Sequence, residues 1–232
     1  MSRQNFKAGT LTAPLPAVMV TVGDMENSNI ITIGWTGILS SDPPRTYVSV
    51  RPSRHSHKIL TETGEFVINL TTEALAYATD YAGIYTGAKV DKFKKLGLTK
   101  VESNSVKAPT IGQSPLALEC RVFEVIHSGT HDIFMADIVN VSCDTSLLDE
   151  KGRICFERAG LIAYSHGEYY SIGKKIGKFG FSTDKKKAEK RITGMDIKKK
   201  PTNKASNERK GKVKGESKSE KREFGKSKKK NT

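Results

Sequence analysis

A chain of 232 residues with 39 Lys or Arg against 25 Asp or Glu has a net charge of +14. The excess is local: residues 185–232 hold 20 of the basic and 6 of the acidic side chains, whereas residues 1–184 balance at 19 of each. No apolar run approaches the ~18 residues of a membrane span, the polar Met1–Gly9 does not read as a signal peptide, and 3 cysteines without CxxC spacing argue against a zinc ribbon, a redox dithiol or a secreted disulfide framework.

The expectation is therefore a soluble cytoplasmic protein with no membrane partner, in which Cys120, Cys143 and Cys155 serve as small buried hydrophobes. In chain order, Ala17–Val22 reads as a first strand that turns at Gly23-Asp24. Pro14 and Pro16 before it suit a sheet edge, because proline cannot donate to a ladder. Ile30–Thr36 reads as a second strand, in which Gly34 and Gly37 flank Trp35-Thr36. Glycine in a strand often marks a close approach of a ligand to the backbone; a core aromatic is the alternative reading of Trp35.

A loop turning at Asp42-Pro43-Pro44 leads to a third strand, Thr46–Val50. It runs straight into Arg51-Pro-Ser-Arg-His-Ser-His-Lys58, which gathers two guanidiniums, two imidazoles, two hydroxyls and an ammonium. Forked arginine donors, serine hydroxyls and the free N–H groups of a helix N-terminus together suit a phosphate; a solvated charged loop is the other reading. Ser53 or Ser56 is placed to cap a helix through Lys58–Thr63 that Gly64 ends.

Phe66–Leu70 alternates as a strand with one polar amide, Asn69, which needs partners if buried. Thr72–Gly83 puts Leu75, Ala78, Thr79 and Ala82 on one side of a helix. Ile84–Leu98 reads as a loop and a short helix containing Asp91-Lys92-Phe93, on residues alone a solvated lysine beside a core phenylalanine. Residues 117–142 form a hairpin whose turn runs from His127 to His131, and Tyr164-Ser-His-Gly167 reads as a turn between two short strands. His55 and His57 have HxH spacing without a third ligand nearby, so no metal is expected. Neither a nucleophile elbow nor a GxGxxG or Walker sequence occurs. Beyond Asp184 apolar residues are so sparse that disorder is expected. Nonspecific contact with a polyanion such as nucleic acid is one use of that charge, and solubility is the other.

Asn29, Trp35-Thr36-Gly37, Asp42-Pro43-Pro44, Val48-Ser49-Val50-Arg51-Pro52, Glu65–Leu70, Asp91-Lys92-Phe93, Gly129-Thr130-His131-Asp132 and Tyr169-Tyr170, followed by Gly173 to Ser182, form an ordered series. Over roughly residues 8 to 183 the series resembles the flavin-reductase-like family of FMN-binding split β-barrels, which includes flavoredoxins. The resemblance implies a mainly β fold, a Greek-key split barrel over residues 1–183 with a few peripheral helices, followed by a disordered Lys-rich tail over 184–232. It also implies FMN as cofactor, NAD(P)H as candidate electron donor, a flavin or an electron-transfer partner as acceptor, and a homodimer, because sites in the family lie at the subunit interface.

Residue by residue, the resemblance makes Thr32, Trp35, Thr36 and Gly37, with the backbone at Ser49 and Val50, candidates for the flavin ring. Arg51, Arg54, Ser56 and Lys92 become candidates for the phosphate, with Ser53, His55 and His57 behind them. Asn69 would face the flavin, an ordinary loop contact being the alternative; Phe93 would anchor the chain beside it, and His131 would stand near the open face of the ring, for flavin or substrate, a surface histidine being the alternative. No residue stands out as a general acid or base. A reading from another class is a non-catalytic FMN- or nucleic-acid-binding module whose working part is the tail.

Overall fold

The computed structural model describes residues 2–183, and the tail expected to be disordered lies outside the described residues. Its elements are β1 (Leu15–Pro16), β2 (Val18–Gly23), β3 (Ser28–Ile33), β4 (Thr36–Ser41), β5 (Pro44–Val50), α1 (His55–Thr63), β6 (Glu65–Asn69), α2 (Ala76–Ile84), α3 (Lys92–Leu96), β7 (Lys100–Val101), β8 (Thr110–Ile111), β9 (Leu116–Ser128), β10 (His131–Cys143), β11 (Ile162–Ser165) and β12 (Glu168–Ser171). Residues up to Ile176 form one compact unit; Gly177 begins another, described as far as Thr183.

The main sheet is antiparallel with strand order β3-β2-β6-β9-β10-β5-β4. Its two edge strands, β3 and β4, are consecutive in the chain, separated only by Gly34 and Trp35. That short covalent link curls the sheet until its ends meet. Across the seam the Ser49 N–H donates to the Trp35 carbonyl at 3.0 Å, but no ladder joins β3 to β5. The expected mainly β split barrel is thus present, and the split is a real opening in its wall. A smaller sheet of order β1-β11-β12 lies beside the end of β3, because β1 leads through Ala17 into Val18 of β2, the ladder partner of Ile33.

Strand β2 shows why the sequence curls this way. All six of its residues are buried, since alternate side chains point to opposite faces and both faces are covered. Val18, Val20 and Val22 enter the barrel interior with Val48, Phe66 and Phe134. Met19 faces outward to a second cluster with Leu75, Ala82, Phe93 and Ile111, which seats α2 and α3 on the barrel. Truncating a fully enclosed ring such as Phe134 costs about 3–5 kcal/mol. Leu60 of α1 plugs the interior, and Gly64 ends that helix in the left-handed conformation at φ 64°.

Several boundaries differ from the sequence expectation. The strand expected over Ile30–Thr36 stops at Ile33, and a further strand, β4, begins at Thr36. β4 escapes the pattern because a register shift between Ile38 and Ser40 breaks its alternation, and none of it is buried. Helix α1 starts at His55 rather than Lys58, and neither Ser53 nor Ser56 caps it: Arg54 occupies the N-cap with no side-chain cap bond. The helix expected over Thr72–Gly83 opens with a 3-10 turn, Glu73–Leu75, before α2. The hairpin and the turn at His166-Gly167 stand where expected. Cys120 is buried, whereas Cys143 and Cys155 are only partly so, and all three are free thiols. Among the described residues no helix is long and apolar enough to cross a membrane, and no group of His, Cys, Asp or Glu is arranged to hold a metal ion.

Candidate functional site

The seam between β3 and β5 opens into a cleft of about 340 Å³, within the usual range for small-molecule sites. Ile31, Thr32 and Ile33 supply one wall and Ser49 and Val50 the other. Both strands end there, so the segments that follow them, Gly34-Trp35 and Arg51 to Arg54, form the rim. From outside the barrel, α2 contributes Asp80, Gly83 and Ile84, and the β11–β12 hairpin contributes Tyr164 and Tyr169.

Charge in the cleft is one-sided. Arg51 and Arg54 line it, and among the described residues the only acidic side chain lining it, Asp80, accepts from the Tyr169 hydroxyl at 3.3 Å. Burial, then the charge of Asp80, pushes the Tyr169 phenol up to about 12, so the hydroxyl keeps its proton. The His131 imidazole sits beside Trp35 with ring centroids 4.5 Å apart, and its Nδ1 lies 2.9 Å from the Thr130 hydroxyl. Burial, together with the positive charge of Arg51 and Arg54, holds His131 below the ordinary histidine value. At neutral pH it is an uncharged donor or acceptor.

Next to the cleft is a smaller cavity of about 70 Å³ at the N-terminus of α1. Ser53, Arg54, His55 and Ser56 line it from one side, Thr86, Gly87 and Lys92 from the other. Arg54 and Gly83 border both spaces, and an Arg54 N–H reaches the Gly83 carbonyl at 3.4 Å. The Ser56 hydroxyl accepts from the Asn29 side-chain amide at 2.7 Å, which leaves its own O–H to donate. Lys92 is buried beneath this cavity, and its Nζ donates to the Ile30 carbonyl at 2.6 Å and the Ala82 carbonyl at 2.7 Å. Burial, then the charge of Arg54, lowers its ammonium to about 8. The cavity therefore combines cations, hydroxyls and an uncapped helix N-terminus, which is the donor set for a phosphate.

A flavin reductase like domain matches residues 11–173, which is most of the chain and contains every part of the cleft just described. The chain belongs to the flavin reductase like family. A relative in Archaeoglobus fulgidus, itself uncharacterized, is 35% identical over 144 residues, 62% of this chain and 81% of that protein. The flavoredoxin of Desulfovibrio vulgaris (Miyazaki F) superposes with a TM-score of 0.74 at 32% identity, covering 78% of this chain and 100% of that one. An FMN-binding protein from Thermus thermophilus, solved with bound 1-cyclohex-2-enone, gives a TM-score of 0.65 at 26% identity, covering 77% of this chain and 97% of that one.

In this flavin reductase like chain the candidates from sequence fall into three groups. Thr32, Trp35, Ser49, Val50, Arg51, Arg54 and His131 line the cleft, and His55, Ser56 and Lys92 line the small cavity with Ser53. Trp35 is 39% exposed, which corrects the core-aromatic reading. Thr36 and Gly37 lie off the cleft, in β4: the Thr36 hydroxyl donates to the Tyr47 carbonyl, and the Gly37 carbonyl accepts from the Thr46 hydroxyl at 2.8 Å. Their strand pairs with β5 on the far side of the seam.

Asn69 and Phe93 also lie elsewhere. The Asn69 amide is fully enclosed: its Oδ1 accepts from the Ile111 N–H at 2.8 Å, and its Nδ2 donates to the Met19 carbonyl at 3.1 Å and the Thr21 hydroxyl at 3.3 Å, so protein groups satisfy it. Phe93 belongs to the cluster under α2. His57 turns away from the cavity to Asp132, with Nε2 and Oδ2 2.6 Å apart. Sequence reasoning missed Asp80, Tyr164 and Tyr169. A signal for the tyrosines was available, since residues on either side of the His166-Gly167 turn must face each other, and Tyr164 and Tyr169 do.

Proposed function

We propose that this chain is an FMN-binding oxidoreductase. Family membership carries the coarser part of this statement, flavin-related redox chemistry. The finer part rests on one observation: Arg54 joins an apolar-walled cleft to a small basic cavity at an uncapped helix N-terminus. A flat ring system bearing a phosphate monoester at the end of a flexible chain matches that pair of spaces. Gly87 supports the fit, because a Cβ there would meet the Asn29 side-chain oxygen at 2.1 Å and displace the amide that bonds Ser56 in the cavity wall.

When bound, FMN supplies the redox chemistry, accepting electrons from a donor such as reduced nicotinamide and passing them on. The chain's own residues bind and orient. Arg51, Arg54, Ser56 and the first-turn amides of α1 hold the phosphate, with the Lys92 charge beneath. Ile31 and Ile33 from one wall and Val50 from the other exclude water from the cleft, and neutral His131 at its rim offers a hydrogen bond. No side chain in the cleft is set up as a general base, so the protein's share of the reaction is placement and electrostatics.

A homodimer, NAD(P)H as donor and a cytoplasmic setting belong to the same reading. Exposed apolar side chains support the dimer: Ile38 and Leu39 of β4, Phe123 and Val125 of β9, and Val139 and Val141 of β10 are exposed on strands of one half of the sheet, and a second copy would cover such apolar surface. Contact of residues 185–232 with polyanions rests on their charge alone.

The test is the visible spectrum of the full-length protein after desalting and FMN addition, with Arg51→Ala alongside. The expected result is a flavin band that the substitution weakens, by about 1.5–3 kcal/mol for a charge-assisted hydrogen bond, or roughly ten- to a hundredfold in affinity. Absence of binding at tens of micromolar FMN overturns the proposal. Binding without NAD(P)H oxidation above the free-flavin background selects the non-catalytic module instead.

A further inference from the structure

We infer that Asp132 is a positioning residue that holds both ends of the arginine segment and so fixes Arg51 and Arg54 at the mouth of the cleft. The inference rests on the reading of those arginines as phosphate ligands. Its basis is a single residue with two attachments. Asp132, the second residue of β10, is the ladder partner of Val50, the last residue of β5. Its carboxylate Oδ2 lies 2.6 Å from Nε2 of His57, in the first turn of α1. Between Val50 and His57 lie only residues 51–56, and two further turns are already made inside them: the Arg54 N–H donates to the Arg51 carbonyl and the His57 N–H to the Arg54 carbonyl, both at 2.9 Å. A short segment pinned at both ends and turned twice has few conformations left to lose on binding.

The surroundings make the grip specific. Asp132 is 7% exposed, and its other oxygen lies 2.7 Å from Nδ1 of His127, directly across the hairpin. Both carboxylate oxygens are therefore engaged. His57 is held from below by the edge of the Phe134 ring, with centroids 5.3 Å apart. Facing this region are the imidazoles of His57 and His127, which touch Asp132, with the His131 imidazole and the Arg51 and Arg54 guanidiniums on the cleft side. A carboxylate bonded to His57, three residues beyond Arg54 in the first turn of α1, is electrostatically unfavourable for a phosphate dianion bound at that helix N-terminus. Its presence beside the anion cavity is accounted for if its task is mechanical.

This gives the test a sign. By charge alone, Asp132→Ala tightens FMN; by positioning, it weakens FMN. The measurement is the dissociation constant of FMN and of riboflavin, which lacks the phosphate, for the full-length protein. Asp132→Ala and His57→Phe, which keeps a ring against Phe134 but no donor, are each expected to weaken FMN about tenfold with riboflavin changed less than about twofold. His57→Gln, which keeps a donor at the same reach, is expected to retain the FMN preference. Combined with Arg54→Ala, either loss variant is expected to add little, since residues acting through one another are non-additive. Equal losses for FMN and riboflavin, tighter FMN binding, or full additivity with Arg54→Ala overturn the inference while leaving the phosphate site intact. An Arg54→Ala protein that still prefers FMN to riboflavin as the parent does overturns the phosphate reading itself. Should Asp132→Ala fail to fold, the His57→Phe and His57→Gln pair decides alone.

Discussion

The indole of Trp35 and the imidazole of His131 lie 4.5 Å apart between ring centroids, with their planes inclined at 41°. Trp35 is the only tryptophan in the chain, so its fluorescence reports on the cleft alone. Protonated imidazole quenches indole, and burial plus Arg51 and Arg54 hold His131 below 6.5. Fluorescence is therefore expected to fall on acidification with a midpoint under that value. The titration should vanish in His131→Gln and move upward in Arg51→Ala, because removing a nearby cation favours the imidazolium. A midpoint unmoved by the arginine substitution contradicts the arrangement.

Lys92 predicts two opposite pH trends. Its ammonium titrates at about 8 in the folded protein, against 10.5 for an ordinary lysine, so the unfolded chain binds more protons between those values. Stability from this group therefore rises as pH climbs from about 8 through 10.5. Affinity for a phosphate-bearing ligand should fall over the first part of the same range, as the charge beneath the cavity is lost. Urea denaturation and FMN titration at several pH values measure the two trends, and both should flatten in Lys92→Met. That variant also strands the Ile30 and Ala82 carbonyls, at about 1–3 kcal/mol.

How much of this was legible in the sequence depends on what each residue's neighbours are. The arginine segment was readable because its donors are contiguous, and the β9–β10 hairpin because its partners are adjacent in the chain. The β4 strand was not, since its bulge at Ile38 to Ser40 breaks the period-2 signal. Asn69 was misplaced for a different reason: its partners Ile111 and Met19 are 42 and 50 residues away, and residue type alone does not say which side of a strand faces a ligand. Asp80 and Tyr169 meet only when α2 and β12 come together at the cleft.

Asn69 offers a test of that correction. Asn69→Ala deprives the buried Ile111 N–H of its acceptor, a loss of about 1–3 kcal/mol and about 2–4 °C in Tm for each kcal/mol in a domain of this size. Because Asn69 does not line the cleft, FMN affinity measured well below the melting transition should stay within about twofold of the parent, a difference well under 1 kcal/mol. A large drop in affinity without a drop in Tm would return Asn69 to the ligand.

Gly87 tests the wall of the small cavity. A Cβ at this position would lie 2.1 Å from Oδ1, 2.4 Å from Cγ and 2.7 Å from Nδ2 of Asn29. Asn29 cannot swing aside freely, because it is 6% exposed and donates to the Ser56 hydroxyl at 2.7 Å. Gly87→Ala should therefore cost about 1–3 kcal/mol as overpacking, and by displacing Asn29 it should release Ser56 from its fixed orientation. The expected outcome is a weaker grip on FMN than on riboflavin. Asn29→Ala in the same background makes room for the methyl group, so the double variant should recover stability while still lacking the Ser56 contact. Recovery of stability and of FMN preference together would mean that Ser56 needs no support from Asn29 to serve the phosphate.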